Sequence, residues 1–416
     1  MTSRHAAVQR PRAARHSRRL RTHGVLRGIA LTVAAVVVFG ASGVAAVAAK
    51  LNGNMDKVDV SALVDPVASP TKEPDPDDPN AGQAVNLLIL GSDQRDGVNA
   101  SIGGEAAGMR SDTTMVLHIS ADRSRVELVS IPRDSLVDIP SCTMTNGKTT
   151  RATHGMFNSA FATGWDNGGD MTSAAACTIN TVQQNTGLTI NHFVVVDFAG
   201  FQQMVDSIGG VPMCIPTDMK SDLAGLDLTA GFQTLDGPTA LAYARARKGQ
   251  GVGDGSDTNR IGNQQKLIAA MVREVLSRDV LTNPQKLLSF LSAATGSLTA
   301  DSEMTLGNMT GLAYNLRNIS SGNITFMTIP FAPAKSDPNR VEWTSEADAV
   351  WSNMVNDLPA LGEAPTPTPT ATTEPPAPGA TATTPVEPVT PVEPAPVETK
   401  KAGHEAFSVD DTTDVC

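Results

Sequence analysis

VNLLILGSDQR, residues Val85–Arg95, is an apolar run that halts at a glycine and turns abruptly polar. A short apolar stretch bounded by turn-forming residues predicts a buried strand over Val85–Leu90, closed by Gly91. Asp93 then follows the strand end, where a carboxylate can project into a cleft.

Outward from that strand, RSDT (Arg110–Thr113) leads into a second strand, Thr114–Ile119, and Val126–Ile131 gives a third across the turn Ala121-Asp122-Arg123. Thr172–Asn185 reads as a helix, His192–Val196 as a buried strand, and Phe198–Ile208 as a helix stopped by Gly209-Gly210. Pro238–Arg245 and Gln264–Ser277 add two helices, and Asn323–Ile329 a late strand. Strands alternate with helices. The expected fold class is therefore α/β, an α/β/α sandwich around a mixed central sheet, preceded by one transmembrane helix.

The transmembrane expectation comes from the N-terminus. Residues 1–27 carry eight arginines and no acidic residue, and residues 28–49 are uncharged and rich in Val and Ala. At about 1.5 Å per residue that run crosses a hydrocarbon core of about 30 Å. Arginine before the span places the N-terminus in the cytoplasm and the rest outside, at the cell membrane. A cleaved leader is the alternative, because Ala46-Val47-Ala48 resembles a cleavage site; the length of the run favours an anchor. The remaining boundaries follow composition: 50–83 a disordered Pro/Asp linker, 84–360 one large domain, and 361–416 a Pro/Thr-rich disordered tail able to reach through a wall layer. The formal net charge of −11 hides the basic arm. An acidic exterior argues against nucleic acid as a partner, and topology or anionic lipid explains the arm.

None of the four cysteines forms a metal-ligand pair at short spacing. Cys142 and Cys177 flank one loop-and-helix segment, so in an oxidising exterior they are the expected disulfide. Cys214, in the apolar string Val211–Ile215, reads as a small buried hydrophobe. Cys416 ends the tail.

The chemistry-bearing strings are GSDQR, RSDT, IPRDS (Ile131–Ser135) and YARAR (Tyr243–Arg247). Guanidinium forks match phosphate oxygens, so Arg133, Arg245 and Arg247 point to an anion site. Arg245 and Arg247 diverge on a helix but share a face in an extended segment, so their pairing requires the helix to end near Ala244. Arg260 and Gln264, four apart, lie on one face of the next helix, which Asp257 is placed to cap. Asp93 and Asp112, with phosphate oxygens and water, suit Mg²⁺; the plainer reading makes both turn or N-cap residues.

NLLILGSD, RSDTTMVLHI, SIPRDSLVDIP, FNSAF, HFVVVDFAGFQQMVDSIGGV, TLDGPTALAYARAR and DTNRIGNQQ occur in that order, and together they resemble the LytR-CpsA-Psr family of cell-envelope phosphotransferases. The resemblance implies a membrane-anchored enzyme that moves a glycopolymer from a polyprenyl pyrophosphate carrier to peptidoglycan, with Mg²⁺ as cofactor. Carried over by motif, Asp93 and Asp112 become the metal and acceptor-side carboxylates. Arg110, Arg133, Arg245, Arg247, Arg260 and Gln264 become the pyrophosphate contacts, with Asp93, Asp112, Arg133, Arg245 and Arg247 catalytic. Asn263 stands where many members carry arginine. Two rival readings share these residues: a pyrophosphohydrolase, in which water replaces the acceptor, and a non-catalytic lipid-binding or regulatory envelope protein.

Overall fold

The computed structural model describes residues 49–65, 82–94, 97–103, 108–277, 283–296, 298–305, 308–309, 311, 319–362 and 399–416. Residues 51–416 form one compact unit and residues 1–50 another. The basic arm and the expected transmembrane helix, up to residue 48, lie outside the described residues. Among those described, no helix is long and apolar enough to cross a membrane.

The centre of the larger unit is an eight-stranded sheet. In chain order its strands are β1 (Asp56–Val58), β2 (Val85–Ser92), β3 (Ser111–Ile119), β4 (Val126–Ile131), β5 (His192–Val196), β6 (Leu298–Asp301), β7 (Ile324–Thr328) and β8 (Phe407–Ser408). Spatially they run β1-β6-β5-β2-β3-β4-β7-β8. The pairs β1/β6, β5/β2 and β4/β7 are parallel and the other four antiparallel, so the sheet is mixed as expected.

Alternation along β2 shows why the sheet is two-sided. Leu88 and Leu90 are fully buried and join Val116, Val129 and Phe193 in the main core. That core is covered by α2 (Ser159–Gly168), α3 (Met171–Thr186) and α8 (Ser345–Val355), whose Phe161, Ile179 and Trp351 pack into it. Leu87 and Ile89 point the other way and are only half-buried. On that face stand α4 (Phe198–Ser207), α5 (Gly237–Arg245) and α6 (Asp257–Val275), with α1 (Gly97–Gly103) and α7 (Pro284–Gly296) packed against α4. Helix starts follow local chemistry: Asp170, Asp197 and Asp236 accept from the backbone N–H of Ser173, Gly200 and Thr239. The sheet register slips between Gly91 and Ser92. A Cβ on Gly91 would sit 3.0 Å from Thr113 Cβ, so glycine lets the two strands pinch together there.

Three expectations need correction. The linker is not wholly without structure: β1 pairs with β6, Leu51 and Met55 are buried, and Asn180 holds the backbone of Leu63 and Asp65. Spaced apolar residues (Leu51, Met55, Val58, Val60, Val64) give this part something to bury, whereas the Pro/Asp stretch, residues 66–81, lies outside the described residues. The tail is likewise not uniform. Residues 363–398 are outside the described set, but residues 399–416 form a strap in which β8 adds to the sheet and Phe407 stacks on Phe326 at 5.3 Å. Finally, Cys214 is not a lone hydrophobe: it is disulfide-bonded to Cys416, 202 residues away. The expected Cys142–Cys177 disulfide is present, tying a loop to α3.

The strap grips the outer face of α6. Gln265 donates to Ser130 Oγ (2.9 Å) and Thr328 Oγ1 (3.2 Å) and accepts from Gly403 N (3.0 Å). Lys266 pairs with Asp414 at 2.8 Å, and Arg273 donates to Val409 O at 3.0 Å. A Cβ on Gly262 would fall 2.5 Å from Ala402 O, so this contact requires glycine.

Candidate active site

Between the half-buried sheet face and helices α4–α7 lies a cavity of about 610 Å³. One face of α6 lines its length. Arg260 and Gln264 come first, then Leu267, Ile268, Met271, Val272 and Val275, at helical spacing. Over about 22 Å, at 1.5 Å per residue, the wall therefore changes from cationic to apolar. Phe201, Met204, Leu241 and Phe290 complete the apolar end, with Ile89 and Met115 beneath.

The polar end collects residues from five segments. Asp93 and Asp112 line it from the β2 exit and the β3 start, and Arg133 from the residues after β4. The helix of YARAR ends at Arg245, and Ala246 is extended (φ −66°, ψ 126°). Arg245 and Arg247 consequently reach the same cavity instead of diverging. They also border a second depression of about 390 Å³ with Lys248 and Leu223. Arg110 is the exception among the expected contacts. Its side chain is exposed and absent from the cavity wall; its backbone N–H donates to Asp93 Oδ1 (2.7 Å) and its carbonyl accepts from Asp93 N (3.0 Å).

Charge is tightly interleaved. Arg133 Nη1 donates to Asp112 Oδ1 at 2.8 Å, and Arg260 Nη2 to the Asp112 carbonyl at 2.7 Å. Burial pushes the Asp112 carboxyl up, but Arg133 and Arg260 outweigh it and hold the group below the usual carboxylate range. Gln264 donates to Thr113 Oγ1 (2.9 Å) and Ala244 O (3.2 Å), which fixes its side chain in the wall. Asp257 does not cap α6; Ser256 occupies the N-cap, and the Asp257 carboxylate faces guanidinium groups. Burial pushes this carboxyl up. The three residues that sequence reading passed over as site members are Asp257, Phe198, whose ring lies under Arg245, and Asn158, which donates to Asp112. All three sit inside strings already noticed, DTNRIGNQQ, HFVVVDFAG and FNSAF, but no spacing rule marks them.

Among the described residues no group of three or more His, Cys, Asp or Glu could hold a metal ion unaided. Asp93 and Asp112 offer two hard-oxygen donors on one cavity wall. That set fits a cation completed by phosphate oxygens and water.

A model of the LytR_cpsA_psr family matches residues 45–355. The chain is 32% identical over 272 residues to the cell wall biosynthesis protein LcpA of Corynebacterium glutamicum, covering 60% of this chain and 50% of that one. It is 32% identical over 213 residues to the polyisoprenyl-teichoic acid–peptidoglycan teichoic acid transferase TagU of Enterococcus faecalis, covering 51% and 61%. It thus spans about half to three fifths of the length of these relatives. A LytR-Csp2A-Psr enzyme structure from Actinomyces oris shares the fold, with a TM-score of 0.52 and 21% identity over 72% of this chain and 96% of that one. With its motifs in order and a family match across most of its length, the chain belongs to the LytR-CpsA-Psr family.

Proposed function

We propose that the protein transfers a glycopolymer from a polyprenyl pyrophosphate carrier to peptidoglycan by Mg²⁺-assisted phosphoryl transfer. The carrying observation is the single cavity that joins four guanidinium groups to an apolar trough along one helix face. A pyrophosphate bearing a long lipid matches both ends. Moving the lipid tail from a bilayer to the trough exchanges one apolar surrounding for another, so little net hydrophobic driving force accrues there. Recognition rests on the charged end, where charge-assisted bonds to phosphate are strong. The names of LcpA and TagU, a wall-biosynthesis protein and a teichoic acid transferase, support the same reading.

In this reading the acceptor hydroxyl oxygen attacks the phosphorus nearest the sugar, and the bond from that phosphorus to the bridging oxygen breaks. Polyprenyl phosphate leaves, and the hydroxyl proton passes to a carboxylate or to water. Arg133, Arg245, Arg247 and Arg260 orient the pyrophosphate and face the charge that grows on the bridging oxygen. Gln264, fixed in the wall, contributes a polar contact. Mg²⁺ held by Asp93 and Asp112 would neutralise phosphate oxygens. We place the enzyme at the cell membrane, its N-terminus cytoplasmic and its domain outside; two disulfides and the basic arm support that.

The test supplies purified full-length chain with lipid-linked labelled glycan, Mg²⁺ and peptidoglycan. Label covalently attached to peptidoglycan is the expected product. Free glycan phosphate would identify a hydrolase instead, and an unchanged donor a binding protein.

A further inference from the structure

Asp257, the first residue of α6, stands behind the guanidinium cluster. Arg260 Nη2 lies 2.7 Å from its Oδ1, Arg133 Nε 3.6 Å and Arg247 Nε 3.9 Å. These arginines come from three separate segments: the residues after β4, the extended residues after α5, and α6. All three line the cavity, whereas Asp257 does not. Its side chain is only 9% exposed. Neither carboxylate oxygen makes a hydrogen bond, and the Nε of each of the three arginines is also buried without one.

Five polar atoms left without hydrogen bonds at one point are unusual, because buried polar groups are ordinarily saturated. A counter-ion serving only stability would be expected to bond its partners closely, since a loosely paired buried charge repays its desolvation poorly. Asp257 instead acts at a distance on two of the three.

From this arrangement we infer that Asp257 is the positioning residue of the pyrophosphate clamp: it holds Arg133, Arg247 and Arg260 together by charge from the side away from the ligand. The inference rests on the proposed function above. Asp112 pairs with Arg133 and Arg260 and Asp134 lies 3.7 Å from Arg133, but Asp257 is the carboxylate that reaches all three arginines, so without it their mutual repulsion is only partly offset and they spread. The cavity would become more positive, so an anion would bind at least as well, but its phosphorus would no longer be aligned for attack. Equilibrium binding and turnover should therefore part company, which loss of folding alone would not produce.

The experiment uses the full-length chain in detergent micelles, with Asp257→Asn and Asp257→Glu. Inorganic pyrophosphate binding is measured by calorimetry, kcat and KM by glycan transfer to peptidoglycan, and Tm by circular dichroism. For Asp257→Asn the expected result is a kcat at least tenfold lower with a pyrophosphate Kd equal to or below the wild-type value. Asp257→Glu, which keeps the charge, should recover part of kcat and supplies the comparison if the Asn variant does not fold. Wild-type kcat in the folded pool of Asp257→Asn, or kcat and binding falling together with the folded fraction in both variants, would overturn the inference. A wild-type chain that binds no pyrophosphate and transfers no glycan would remove the functional reading itself. Wild-type binding and transfer with an unaffected Asn variant would remove only the role of Asp257.

Discussion

The guanidinium carbon of Arg245 lies 4.5 Å from the centroid of the Phe198 ring. The two residues come from the last turn of α5 and the first of α4, and their contact aims the arginine along the cavity wall. A planar cation over an aromatic face is worth about 0.5–1 kcal/mol at a partly exposed site.

That relationship separates charge from geometry. Arg245→Ala should slow transfer by about one to two powers of ten, the worth of a charge-assisted bond of about 1.5–3 kcal/mol. Arg245→Lys should recover only part, and Phe198→Leu should cost about two- to fivefold. Steady-state transfer rates check this. A lowered Tm with normal turnover in the surviving folded fraction would mark Arg245 as a structural partner only.

The trough can be filled without touching the charged end. Val272→Trp places a large ring in the apolar wall four turns along α6 from Asp257. Transfer from a long-chain carrier should fall at least tenfold while inorganic pyrophosphate binds as before. Equal loss with short-chain and long-chain donors would show that the trough does not receive the lipid.

The acid limb of stability should depend on Asp112. Its carboxyl, opposed by burial but held down by Arg133 and Arg260, titrates below its usual 3.8 when folded. As pH falls the unfolded chain takes up that proton first, so the contribution is complete above about pH 4 and is lost as pH drops through the lower folded value. Asp112→Asn should be less stable than wild type at pH 7, by about 1 kcal/mol, with the gap narrowing in acid. Thermal unfolding between pH 7 and pH 3 measures it, and a gap constant across that range would contradict the linkage.

Releasing the strap should loosen α6. The chain-entropy estimate for a cross-link spanning 202 residues is about 5 kcal/mol, against about 4 kcal/mol for the 35-residue separation of Cys142–Cys177. Cys416→Ser should thus lower Tm, and so should Gly262→Val, whose side chain would collide with the Ala402 carbonyl. Because α6 carries Arg260 and Gln264, donor KM should rise in both variants. Unchanged Tm and KM in both would show that the strap is passive.

The central strands were legible because runs such as NLLIL and VELVSI are apolar and bounded by turn residues. The caps Asp197 and Asp236 emerge only in the structure, although the helices they start were read from their apolar periodicity. DKV and LTAD, the edge strand β1 and its inner neighbour β6, are too short and mixed to announce themselves; β6 is held between β1 and β5, and β1 by β6. Convergence of Arg245 and Arg247 hinged on where a helix stops, and the helix expected over Pro238–Arg245 does end at Arg245. Arg110 misled because its string is a motif through its backbone, not its side chain. Cys214 and Cys416 were unreadable as a pair: no local pattern links residues 202 apart across a Pro/Thr tract. Asp257 was read as a helix cap, since a carboxylate at a helix start does that work by default, and only the three-dimensional gathering of guanidinium groups shows otherwise.

The C-terminal disulfide changes what kind of object the Pro/Thr tract is. Upstream, Ala360 is buried and its N–H is bonded to Glu127 Oε1; downstream, the strap is bonded covalently to Cys214. Residues 363–398 are therefore a segment of a covalent ring that the Cys214–Cys416 bond closes. A protease that cuts once within them opens the ring but sheds nothing: the nicked protein migrates as one species without reductant and as two fragments with it.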